Sequence, residues 1–240
     1  MKKLFLILPL LIILPTHADQ YGLYNPYEYQ KNFSPEESEK ILFIMDFSNS
    51  MTESLDGSTK VEQMINTMKQ ILPKINPNVS VGLRIYGHRM GLTPVEACRA
   101  SLLVNPIRKN NTENIAQSLI KTKPRGMTPI TFSLKQAIKY DFMGFNGKKH
   151  IILMTDGGEN CDESPCKFVM NLIKIRRDVS IDVIAFNIKD QDDLEQLQCT
   201  ALVTSGKFYN AQTAAELLQG FDNSIGSIKS VEAKLVLPKP

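Results

Sequence analysis

The chain has 240 residues, 42% hydrophobic and 22% charged, enough for one substantial α/β domain plus extensions. Its 28 Lys and Arg stand against 25 Asp and Glu. Without Lys2 and Lys3 the balance falls from +3 to +1, so the charge gives no basis for field-driven binding to nucleic acid or to anionic lipid.

Residues 1–18 have the layout of a secretory signal peptide: Lys2 and Lys3 in front, an apolar core from Leu4 to Leu14, and Thr16-His17-Ala18 as the cleavage site. The expectation is export, periplasmic or secreted. The core is short for a bilayer span, no Cys follows Ala18 as in a lipoprotein, and no later run is apolar enough for a transmembrane helix. An uncleaved anchor is the alternative. Residues 19–37 carry Tyr21, Tyr24, Tyr27, Tyr29 and Phe33 with no helical or strand period. They read as an aromatic arm packed on the domain surface, or as a docking peptide.

Residues 41–51 organise the rest. Ile41 to Met45 form an unbroken apolar run, the mark of a strand buried on both faces of a parallel sheet. Asp46, Ser48 and Ser50 follow where that strand stops. One carboxylate and two hydroxyls are hard oxygen ligands, better suited to Mg²⁺, Mn²⁺ or Ca²⁺ than to zinc or copper. Thr59 with Glu62 makes a capping box for a helix whose apolar face is Val61, Met64, Ile65, Met68, Ile71 and Leu72. Pro73 and Pro77 close it.

Strands are predicted over residues 79–86 and 98–105, with a long polar loop at 87–97 that contains His88 and Arg89. No helix is evident between these strands, so they are expected to pair antiparallel, giving one antiparallel edge. A short helix over 112–120 would bury Ile115, Leu119 and Ile120. At 126–130, Gly126 permits an unusual turn, Thr128 takes the cap and Pro129 opens a helix burying Leu134, Ala137 and Ile138. Residues 150–155 are a second strongly apolar strand, and it runs into Asp156-Gly157-Gly158-Glu159. Asp156 thus sits at a strand end as Asp46 does; a plain Asp-Gly turn is the simpler alternative.

Ser164 caps a helix through Arg177 that buries Phe168, Leu172 and Ile175. A strand over 181–188, a helix begun by Asp192 and Glu195 and ended by Gly206, a strand over 207–210 and a helix capped by Thr213 and Glu216 follow. That last helix would bury Leu217, Leu218, Phe221 and Ile225. The tail, 229–240, contains Ala233 to Leu237, an edge strand or an interaction tail. Strands alternating with helices predict an α/β fold: a doubly wound, mostly parallel six-stranded sheet with one antiparallel edge strand and helices on both faces. Cys98, Cys161, Cys166 and Cys199 point to disulfides in an exported chain. A four-thiolate zinc site would want a C-x-x-C pair, and none is present.

Asp46-x-Ser48-x-Ser50-Met51, Gly126-x-Thr128-Pro129-Ile130 and Thr155-Asp156-Gly157 together closely resemble the von Willebrand factor type A family. They stand as the three pieces of its metal-ion-dependent adhesion site (MIDAS), in the usual order. The resemblance covers residues 38–228. Tyr86-Gly87-His88-Arg89, the acid at Glu159 and the cysteine after Asp156-Gly157 look like exported bacterial members. Asn49 departs from the family, which usually has Gly there.

The resemblance implies a doubly wound sheet of strand order 3-2-1-4-5-6, and hydroxyl ligation by Ser48, Ser50 and Thr128. It implies that Asp46 and Asp156 bind the ion directly or through water, Mg²⁺ first and Mn²⁺ or Ca²⁺ next. A Glu or Asp of a partner protein would complete the shell, making the chain an exported adhesion or envelope-assembly module and not an enzyme. In that strand order Cys98 and Cys199 lie too far apart to join, since neighbouring strands are about 4.8 Å apart. Two patterns remain: Cys98–Cys161 with Cys166–Cys199, which is preferred, or a local Cys161–Cys166 bond with two free thiols. Two other functions stay open, a metal-independent interaction domain and a metal-dependent hydrolase. For a hydrolase, a second Asp would be wanted where Ser48 stands, or a histidine motif around His88 or His150.

Overall fold

The computed structural model describes residues 39–161 and 163–234. Residues 1–38, which include the stretches read as a signal peptide and as an aromatic arm, and residues 235–240 lie outside the described residues. Six strands form one sheet: β1 (Lys40–Asp46), β4 (Ser80–Tyr86), β5 (Ser101–Arg108), β6 (Lys149–Thr155), β7 (Val179–Phe186) and β8 (Phe208–Ala211). Two short strands, β2 (Ser54–Leu55) and β3 (Ser58–Thr59), make a separate hairpin. The sheet order is β5-β4-β1-β6-β7-β8. Only β5, at the edge, runs antiparallel, to β4.

β1 is buried along its whole length because both its faces are covered. Ile41, Phe43 and Met45 face one core with α1 (Lys60–Ile71), α3 (Thr112–Lys121) and α7 (Ala214–Lys234). Leu42 and Ile44 face the other, with α4 (Ile130–Gln136), α5 (Pro165–Leu172) and α6 (Gln191–Val203). Alternation of side chains along a strand is what splits one apolar run between two cores. The chain leaves β1 towards β4 and β5, then returns to lay β6 on the opposite side of β1. That reversal is the switch point, where open α/β sheets leave a crevice beyond the carboxyl ends of their strands.

Several local expectations shift. The edge strand begins at Ser101, because Cys98 ends a one-turn helix, α2 (Pro94–Ala97), within the 87–97 loop. That loop is less polar than expected at its surface, with Leu92 97% exposed and Met90 and Val95 also outside. Ile120 is half exposed, since α3 buries only Ile115 and Leu119. α5 ends at Leu172, so Ile175 falls beyond the helix and is 81% exposed. The cap of α6 is Asp190, accepting from Asp193 N–H, and not Asp192. Leu218 is only partly buried against its core. α7 runs through Lys234, so the part of the tail up to that residue is helix and not an edge strand.

Thr128 does not cap α4. Pro129 stands at the cap, and no side chain bonds the first turn from that position. α4 then widens into a π-turn, Ala137–Asp141, which sets Asp141 against Arg84 of β4. Two buried bonds join them, Nε to Oδ2 at 2.6 Å and Nη2 to Oδ1 at 2.7 Å. The forked pair fixes α4, and with it the loop before it, against the sheet.

Candidate metal centre

Asp46 is the last residue of β1 and fully buried. Its Oδ1 accepts the Ser48 N–H at 2.6 Å and its Oδ2 accepts the Thr155 hydroxyl at 2.8 Å. The neighbouring strand β6 therefore orients the carboxylate of β1. Ser50 Oγ donates to Asp156 Oδ1 at 2.7 Å, and Ser48 Oγ lies 2.9 Å from Ser50 Oγ. Ser50 has one hydroxyl proton and spends it on Asp156, so Ser48 is the donor to Ser50. The string Asp46, Ser48, Ser50, Asp156 thus closes from β1 to β6, with the remaining lone pairs of both hydroxyls open.

Thr128 enters through its backbone. Ser48 and Gly126 form a parallel bridge, and Asn49 N–H donates to Gly126 O at 3.0 Å. Gly126 N–H donates to Gly87 O at 2.7 Å. Gly126 has no left-handed φ; it is glycine for space, because a Cβ there would run into the Arg89 carbonyl oxygen. Gly87 does have a left-handed φ, +70°, and a Cβ would meet the Ser48 backbone. Two residues on, Thr128 is buried, and its N–H donates to Asn160 Oδ1 at 2.7 Å while its hydroxyl bonds nothing among the described residues. Glu159 Oε2 accepts the Thr131 N–H at 2.7 Å, capping the start of α4. The loop after β6 therefore holds the Thr128 loop in place. Asn49 sits in ordinary backbone space, exposed, and leaves the loop intact without the usual glycine.

The disulfides lie around this apex. Cys98–Cys161 ties the loop after β4 to the loop after β6, and Cys166–Cys199 joins α5 to α6. No cysteine is free, so a thiolate zinc site and a local Cys161–Cys166 bond are both ruled out.

Charge is unevenly satisfied. Burial first, and then the nearby charge of Asp156, push the Asp46 carboxyl up to about 7, against the bonds from Ser48 and Thr155. The Lys60 ammonium donates to Asp156 Oδ2 at 3.0 Å and to Glu53 Oε2 at 2.7 Å. Burial works against its charge, yet the bonds to Glu53 and Asp156 outweigh that and raise the amine. Two buried carboxylates repelling each other are the setting that a divalent cation relieves. Among the described residues no three His, Cys, Asp or Glu side chains gather around a metal position. An ion here would rest on two carboxylates and three hydroxyls, a hard-oxygen set that fits Mg²⁺, Mn²⁺ or Ca²⁺.

The profile of the von Willebrand factor type A domain matches residues 40–223. The chain belongs to that family. It is 26% identical to the uncharacterized protein YwmC of Bacillus subtilis (strain 168) over 181 residues, 74% of this chain and 78% of YwmC. It also shares its fold with proximal thread matrix protein 1 from the mussel byssus, in a structure with a zinc-occupied MIDAS motif. There the TM-score is 0.61 and the identity 20%, over 78% of this chain and 45% of that one. The von Willebrand domain of the type V pili tip protein Mfa5 from Porphyromonas gingivalis aligns with TM-score 0.58 and 15% identity, covering 85% and 98% of the two chains.

Two site residues escaped the sequence reading. Lys60 and Glu53 flank a hairpin whose signal was available: Asp56-Gly57, both at positive φ, between the short strands. The roles of Thr155 and Asn160 had no sequence signal, since their partners lie 109 and 32 residues away. Neither of the two histidines weighed for catalysis hydrogen-bonds Ser48 or Ser50. His150 is the second residue of β6, registered with Ile41 at the far end of β1, with Nε2 3.2 Å from Asp182 Oδ2. His88 is half-buried on the loop after β4, and burial followed by the Arg89 charge lower its imidazole pKa.

Proposed function

We propose that this von Willebrand factor type A domain belongs to an exported protein and binds another protein through a divalent cation held by Asp46, Ser48, Ser50, Thr128 and Asp156. The observation that carries the reading is the string that starts with the Ser48 N–H on Asp46 and runs through the Ser48 and Ser50 hydroxyls to Asp156, with the Thr128 loop paired onto it. Mg²⁺ is the expected ion, with Mn²⁺ and Ca²⁺ as substitutes. The protein supplies five oxygens, and a hard cation takes about six or more, so one position is left for an exchangeable ligand. A Glu or Asp of the partner fits there, and its charged contact, partly dehydrated, anchors a modest interface. Binding and not catalysis is the role that the serines fit: Ser48 pairs with Ser50, and Ser50 with Asp156, not with a histidine base.

Calorimetric titration of the purified domain with Mg²⁺ and with Mn²⁺ tests this. One site per chain is expected, abolished by Asp46→Ala; no binding, or binding indifferent to that change, refutes it. A metal-independent interaction domain is the competing reading, and one observation favours it: Lys60 already supplies a positive charge to Asp156. It requires that a chelator leave binding to the partner unchanged.

A further inference from the structure

Lys60 is the first residue of α1, and its side chain is only 6% exposed. A cation there lies against the positive end of the helix, where an anion would be favoured. Burial adds a second cost. Both are offset by two carboxylates. Asp156, whose side chain is wholly buried, accepts at 3.0 Å, and Glu53, 63% exposed, accepts at 2.7 Å. The backbone sets this geometry: the β2–β3 hairpin turns the chain back so that Lys60 N–H donates to Glu53 O at 3.0 Å. Each oxygen of Asp156 then has one assigned donor, Ser50 on Oδ1 and Lys60 on Oδ2.

We propose that Lys60 is a built-in counter-charge of the metal centre. It weakens the hold of the site on its cation and leaves the loaded site with an excess positive charge, which selects a carboxylate as the outside ligand. The inference rests on the metal-binding reading above and goes beyond its ligand set. The count is direct. Asp46 and Asp156 bring two negative charges and a divalent cation two positive ones, so those three alone are neutral. Lys60 makes the total +1, which Glu53, 2.7 Å from the ammonium but 63% exposed, offsets only in part. Glu53 is largely in water, and its charge is screened accordingly. A neutral loaded site would take water or a carbonyl about as readily as an acid; a positive one favours an acid. A lysine in hydrogen-bond contact with Asp156 also makes that carboxylate a weaker donor to the ion, as any competing cation does.

The test compares Lys60→Met, which keeps the chain length and loses the charge, with Lys60→Arg, which keeps the charge, and Glu53→Gln, which removes the exposed acceptor. Mg²⁺ affinity is measured by calorimetry, and acetate affinity by titration of the Mg²⁺-saturated proteins, with thermal melts to confirm folding. One unit charge several ångströms away in partly screened surroundings amounts to about a tenfold effect. Lys60→Met should bind Mg²⁺ about tenfold more tightly and acetate about tenfold more weakly than the unaltered protein. Lys60→Arg should stay within roughly threefold on both measures. Glu53→Gln should weaken Mg²⁺ binding by roughly twofold to threefold, and Lys60→Gln, which keeps a donor for Asp156 without the charge, takes the place of Lys60→Met if that variant does not fold.

Equal or weaker Mg²⁺ binding by folded Lys60→Met overturns the proposal, as does a Glu53→Gln protein with unchanged or tighter Mg²⁺ affinity, or an acetate affinity indifferent to residue 60. If the unaltered protein binds neither Mg²⁺ nor Mn²⁺, the metal-centre reading itself fails. If it binds them and the variants do not differ, only the role of Lys60 does.

Discussion

Asp46→Asn should make the metal-free protein more stable while destroying its metal binding. In the folded chain the Asp46 carboxyl titrates at about 7, against 3.8 when unperturbed, because it is buried beside Asp156. The folded state therefore holds this proton more tightly than the unfolded one. Its contribution to stability is greatest below about pH 4, declines as pH rises towards 7 and stays lost above that. Three pH units at about 1.4 kcal/mol each put the cost of ionising Asp46 in the fold at roughly 4 kcal/mol. Asparagine avoids that cost and fits the same contacts. Its oxygen accepts the Ser48 N–H, and its amide donates to Thr155 Oγ1, whose proton is then free for Gly157 O, 2.7 Å away. For a domain of this size 1 kcal/mol moves Tm by about 2–4 °C. With chelator at pH 8, Asp46→Asn should melt roughly 10 °C above the unaltered protein, and at pH 4 the two should nearly coincide. Adding Mg²⁺ at pH 8 should raise Tm for the unaltered protein only, because binding to the folded state alone stabilises it. Thermal melts followed by circular dichroism at the two pH values decide this. An Asp46→Asn protein that melts lower at pH 8, or by an equal margin at both pH values, refutes the electrostatic account of the site. A gain in stability with loss of function is the usual trade where a binding site is held under strain.

The same carboxyl ties metal binding to pH. Below about pH 7 an ion must displace the Asp46 proton, so Mg²⁺ affinity should fall by up to tenfold per pH unit, and the calorimetric heat at pH 6 should vary with the ionisation enthalpy of the buffer. Heats independent of buffer would contradict that. Gly126→Ala should weaken Mg²⁺ binding at least about tenfold with the fold retained, because its Cβ would displace the Arg89 carbonyl and loosen the pairing that brings Thr128 to Ser48; metal titration beside far-UV circular dichroism checks it. Asp141→Ala should cost about 3–5 kcal/mol in urea denaturation, since it leaves Arg84 buried without its partner.

Much of this protein is written locally in its chain. The apolar run Ile41–Met45 and its counterpart before Asp156 announce strands buried on two faces, because only a strand covered by helices on both sides has no position for a polar residue. The Thr59–Glu62 capping box sets the start of α1, because a helix end must satisfy its own first N–H groups within a few residues. The edge strand was legible from the missing crossover helix, and Asp46 and Asp156 stood out as carboxylates at strand ends; Thr128 joined the candidate ligands only through the family resemblance. Periodicity failed where packing decides: Ile120 and Ile175 are apolar by sequence, yet their helices present or end them outside the core. Tertiary structure alone decided that Lys60 rather than solvent answers Asp156, that Thr155 orients Asp46, and that Asn160 and Glu159 hold the Thr128 loop. It also chose between the two disulfide patterns. Contacts between residues 28 to 109 positions apart leave no trace in local spacing. They exist because the sheet reverses at β1 and sets two strand ends, each with its aspartate, side by side.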